Sequence, residues 1–66
     1  MLKPMKSLMQ LRTAMFEKRK VYVYFDGELS GEGEIEDIIY ESDEMKDQFI
    51  RVSGEYFVWS KCEFYS

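Results

Sequence analysis

The stretch FDGELSGEGEIEDIIYESDEMKD, from Phe25 to Asp47, carries ten acidic side chains and a single lysine. Carboxylates at this density suit three kinds of chemistry: holding a hard cation, acid–base catalysis by a pair, or meeting a basic partner. A calcium loop needs oxygen ligands spaced as D-x-D-x-D-G with a Glu at the twelfth place. Counting from Glu41, the third residue is Asp43, but the fifth is Met45 and the sixth Lys46, so the ligand set breaks. Glu32, Glu34 and Glu36 alternate, which puts them on one exposed face of a strand, whereas a working acid needs an apolar pocket that raises its pKa. The glycines of GELSGEGE stand among carboxylates that repel a phosphate. With no histidine and one cysteine, Cys62, no Cys/His zinc site or intrachain disulfide can be assembled. The expectation is a protein without catalytic residues, metal or cofactor. Two readings of the acidic stretch remain. It is a solvated face that keeps a sheet edge from pairing with other chains, or it is a recognition surface in which Glu32, Glu34, Glu36, Asp43 and Glu44 meet a basic protein partner.

The elements that position these carboxylates follow from periodicity. Met5, Leu8, Leu11 and Met15 recur at helical spacing with Ala14 alongside, and Pro4 suits a first turn, so a helix is predicted over about 4–19. Lys18, Arg19 and Lys20 would close it, complementing the carbonyl end of its dipole. Its methionine stripe is either core filling or an adaptable partner-binding face. VYVYF predicts a strand over 21–25 with Val21, Val23 and Phe25 inward, and Asp26-Gly27 predicts a hairpin turn. In the return strand, 29–40, Leu29, Gly31, Gly33 and Ile35 share a face, but Ile38 and Tyr40 have the opposite parity. An extra residue near Glu36-Asp37, a β-bulge, restores the phase, and the two glycines mark a sharp bend. Ser42 to Asp47 reads as a charged loop. QFIRV and YFVWS form a second hairpin, 48–53 and 56–60, around Gly54, and a short strand over 62–65 closes the chain with Cys62 and Phe64 on one face.

The fold class predicted is therefore mainly β with an N-terminal α-helix: a small five-stranded, strongly bent antiparallel sheet or partly open barrel, forming a single domain over 1–66. At 45% apolar and 17% aromatic residues the chain has enough apolar surface to fold. A core this small supplies only a few kcal/mol, and with disulfide and zinc supports excluded, a homo-oligomer is expected. It would be joined through a strand edge in YFVWSKCEF or through the methionine stripe. Charge is unevenly spread: residues 1–20 carry six basic and one acidic side chain, 26–47 ten acidic and one basic, and 48–66 two of each, giving +5, −9 and 0, a net −4. The lone cysteine fits a reducing compartment, and no stretch of about 20 apolar residues is present to span a bilayer, so a cytoplasmic location without membrane contact is expected.

The helix, the strand ending in Asp-Gly, the glycine-bearing bent strand within VYVYFDGELSGEGEIEDI and the closing strands within YFVWSKCEF together resemble the Sm-like family of small five-stranded barrels. That resemblance implies rings in which the last two strands of neighbouring subunits pair edge to edge, with RNA bound at the pore. The bacterial RNA chaperone of the family carries a Tyr-Lys-His segment in this region. The nearest residues here are Ser60, Lys61 and Cys62, with the aromatic one position further off at Trp59 and no histidine. Under this alternative, Lys18, Arg19, Lys20 and Lys61 would meet phosphates and Tyr56 would stack a base. Nucleic acid is nevertheless disfavoured by the net negative charge, and the leading expectation is a small cytoplasmic interaction or regulatory module that binds a protein partner.

Overall fold

The structure is a computed structural model that describes residues 1–40 and 48–66, with the backbone alone for Tyr40. One helix, α1 (Leu8–Phe16), precedes five strands: β1 (Lys20–Phe25), β2 (Glu28–Tyr40), β3 (Gln48–Val52), β4 (Glu55–Val58) and β5 (Glu63–Tyr65). They form one antiparallel sheet in the order β4-β3-β2-β1-β5. β4 and β5 do not pair, so the sheet curls without closing.

The helix is shorter than its apolar period because both ends are stopped by specific bonds. At the start, the Ser7 hydroxyl accepts the Gln10 N–H at 3.2 Å, and the Gln10 carboxamide accepts the Lys6 N–H at 2.5 Å, a variant of the capping box. Pro4 therefore lies outside the helix. It bridges to Tyr65, while Lys3 and Ser66 exchange backbone bonds of 2.9 and 3.0 Å and the Met5 N–H reaches the Phe64 carbonyl at 2.7 Å. At the other end Lys18 adopts a left-handed φ of 57°, with bonds from Lys18 to Met15 and from Arg19 to Ala14. This is a Schellman stop with lysine in the position glycine usually takes. The basic trio thus forms the stop and the start of β1, not the last helical turn. The methionine stripe faces inward: Leu11 and Ala14 are fully buried, Met5 nearly so, and Leu8 and Met15 pack against the core.

β2 is the long bent strand. Its first half pairs with β1 and its second with β3, with the register slipping at Glu36, between Ile35 and Asp37, as the parity break predicts. The Asp37 carboxylate accepts the Ile38 N–H at 2.8 Å, fastening the bulge, and Ile38 turns back to the core. A second slip, at Ser30, is not legible in the apolar pattern. It puts Leu29 out of phase with Gly31, leaving it half exposed instead of inward. Phe25 is also corrected: as the last residue of β1, opposite Glu28 at the hairpin end, it projects past the core and is 51% exposed.

The glycines make the bend possible. Gly31 and Gly33 lie opposite Val23 and Val21 on the inner face. A Cβ on Gly31 would come within 2.6 Å of the Phe57 ring, and one on Gly33, at φ 144°, would collide with the Ser53 hydroxyl, which donates to the Glu32 carbonyl. β3 and β4 can fold over β2 only because these side chains are missing. β4 stops at Val58, short of the predicted 60. The Lys61 and Cys62 amides both turn back to the Val58 carbonyl, at 3.1 Å each, because the chain must cross to the opposite edge for β5.

Candidate binding surfaces

Glu32 and Glu34 share the outer face of β2 opposite Tyr22 and Lys20, and Glu36 joins them at the bulge, whereas the Ser30 slip sets Glu28 opposite Phe25 with the parity of the other face. All four are exposed. Cations set into the face answer two of them: Lys20 Nζ lies 3.1 Å from Glu32, and Arg51 Nε 3.2 Å from Glu36. Glu36 also accepts the Gly54 N–H at 2.8 Å, so it ties β2 to the β3–β4 turn. The hydrogen bond and charge of Glu32, with the Tyr22 ring 5.2 Å away, push the Lys20 pKa upward. Among the described residues, Glu28 and Glu34 make no ion pair. Asp43 and Glu44, and the predicted charged loop that carries them, lie outside the described residues.

The residues considered for RNA separate into two places. Lys18, Arg19 and Lys20 sit at the α1–β1 junction, where Arg19 pairs with Glu17 at 2.9 Å and Lys20 with Glu32. Tyr56 and Lys61 come together beside β4, lining an open groove of about 290 Å³ with Phe25, Phe57, Val58 and Cys62. Lys20 opens β1 and Phe25 ends it, so about 17 Å of strand separates the basic trio from this groove. Arg51 stands over the Tyr56 ring at 5.6 Å. Burial pushes the Cys62 thiol above its ordinary pKa, keeping it neutral.

Sequence reasoning missed the groove because Phe25 was placed inside. It also missed Met9 and Phe16, which are 73% and 89% exposed on the outer side of α1. A signal was present for Phe25, which directly precedes the turn residues. Met9 lies four residues after Met5 and Phe16 eight after Leu8, so helical spacing alone does not mark them as outward. Among the described residues no cluster of three potential metal ligands exists, and no helix is long and apolar enough to cross a membrane.

The chain matches no family model, no curated protein and no solved structure. Its surfaces must therefore be judged by their own chemistry.

Proposed function

We propose that this protein is a small non-catalytic interaction module that binds a protein partner through the outer face of β2. The observation that supports this reading is the placement of Glu32, Glu34 and Glu36 along the exposed outer side of β2. Lys20 and Arg51 temper the charge locally and leave Glu34 for a basic partner. Such a surface steers association and sets orientation more than it adds affinity. A single neutral thiol suits a reducing cytoplasm.

The side chain to change in a test is Glu34, which makes no ion pair among the described residues. Glu34→Lys should leave the melting temperature near that of the wild type, since exposed strand positions contribute little to stability. Reversing Glu32 or Glu36 is a poorer test, because it also breaks the contacts to Lys20, Arg51 and Gly54. Partners captured from cytoplasmic extract at low and moderate salt should differ between wild type and Glu34→Lys, and wild-type capture should weaken with salt. An identical set of captured proteins at both salts counts against the acidic face and leaves solvation of an exposed sheet face as its role, because β2 is the central strand and has no edge to protect.

A second reading, an Sm-like oligomer that binds RNA, is favoured by one specific arrangement. Tyr56 and Lys61 share a groove, on a helix-plus-five-strand chain whose last two strands are the two sheet edges. Under that reading Lys61→Ala and Tyr56→Ala lower affinity for a single-stranded RNA oligonucleotide, and rings form through β4 and β5. The basic trio adds little to it, being engaged with Glu17 and Glu32.

A further inference from the structure

The sheet has two ends, and they are not equivalent. The outer side of β5 is already covered by the chain itself: Lys3 to Met5 lie antiparallel along it through three backbone hydrogen bonds, with the Met5 side chain buried beneath. The outer side of β4 has no such cover among the described residues. Hydrogen-bond phase shows which groups it presents. Trp59 donates to the Gln48 carbonyl, so in the alternation of an antiparallel pair Phe57 and Glu55 face β3, and Tyr56 and Val58 face outward. The Val58 carbonyl is engaged by Lys61 and Cys62. The Tyr56 N–H and C=O and the Val58 N–H remain directed away from the sheet. Tyr56 and Phe25 flank this edge, each about half exposed.

The edge also has a charge direction. Glu55 opens β4 and Lys61 follows its end, and among the described residues neither side chain makes an ion pair. We propose that the β4 edge pairs with β4 of a second copy of this chain, antiparallel about a two-fold axis. Reversing one strand against the other carries each Glu55 toward the Lys61 of its partner, whereas a parallel pairing would set like charges side by side. A two-fold contact uses the same patch on both copies and closes at a dimer. It also covers Tyr56 and Phe25, the apolar side chains flanking the edge. A head-to-tail pairing of β4 with β5 would first have to strip Lys3 to Met5 from β5 and expose Met5. The same feature that leaves β4 open therefore selects the dimer over the ring. The inference is independent of what the acidic face of β2 binds.

Sedimentation equilibrium of the full chain tests it. The wild type should approach 16 kDa, twice the 8.0 kDa chain mass, and amide exchange at Tyr56 and Val58 should slow as concentration rises. Glu55→Lys and Lys61→Glu, each verified as folded by circular dichroism, should each raise the dimer dissociation constant about tenfold, since each turns two attractive contacts repulsive. The combined E55K/K61E variant should return close to the wild-type constant. A mass of 8.0 kDa at millimolar chain concentration overturns the proposal. So does a trimer or larger assembly, which points to head-to-tail pairing, or a double variant no tighter than the singles.

Discussion

At the scale of single residues, the fold depends most on two absent side chains. Gly33 combines a positive φ with the Ser53 hydroxyl lodged where its Cβ would sit, and Gly31 leaves the space that the Phe57 ring fills. Gly33→Ala meets both backbone strain and a collision that displaces Ser53 from the Glu32 carbonyl. It should destabilise the protein by at least about 2 kcal/mol in urea unfolding. Gly31→Ala can be relieved by a shift of the Phe57 ring and should cost less. An unchanged urea midpoint for Gly33→Ala would mean that the bend does not need the missing Cβ.

Among the elements, α1 divides into a face that holds the molecule together and one that does not. Leu11 is fully buried against the sheet, and Leu11→Ala should cost about 2 to 5 kcal/mol, enough to unfold much of a chain this small. Met9 and Phe16 project outward, and replacing either with Ala should move stability by no more than about 0.5 kcal/mol. Thermal melts of the three variants check both halves of the expectation. A large loss at Phe16 would show that its ring is packed against something in solution. The short helix is sustained at its ends by the Ser7–Gln10 cap and the Schellman stop at Lys18, since nine residues are marginal without tertiary support.

For the whole molecule, the resolved titrations share one sign. Cys62 holds its proton more tightly in the folded state because burial disfavours the thiolate. Lys20 does so because Glu32 accepts its hydrogen bond and pairs with its charge. A group whose folded pKa is raised contributes stability that is complete below its unfolded value and is lost as pH rises through the folded one. Stability should therefore decline in the alkaline range, beginning near 9.0 through Cys62 and extending past 10.5 through Lys20. Lys20 is about half exposed and Cys62 only partly buried, so solvent screening keeps the effect small. Urea midpoints measured across this range should fall less steeply at first for Cys62→Ala than for the wild type, and parallel curves for the two would remove Cys62 as a contributor.

The order of elements, the parity break at Glu36-Asp37 and the two Gly turns were legible in the chain itself, because each rests on local sterics and on the periods of strand and helix. Asp26, Gly27 and Gly54 adopt positive φ values that their residue types tolerate, and Ser53 is drawn into one by the turn it shares with Gly54. The methionine stripe was legible as one face for the same reason, but that it fills the core was decided by its packing against the sheet. The Ser30 slip, the outward turn of Phe25 and the early helix stop at a left-handed Lys18 were not legible. Each is a local choice set by what lies across the sheet or the end of the helix, and apolar pattern records only which side of an element is buried. The pairing of Glu32 with Lys20 and Glu36 with Arg51 likewise depends on strand register, which brings together residues distant in the chain. Above all, the inequality of the two sheet edges was decided by tertiary structure alone. Pro4 and Met5 read as the beginning of a helix, yet β5 offered Lys3 to Met5 backbone partners and a pocket for Met5, and long-range hydrogen bonds of that kind leave no mark on local periodicity.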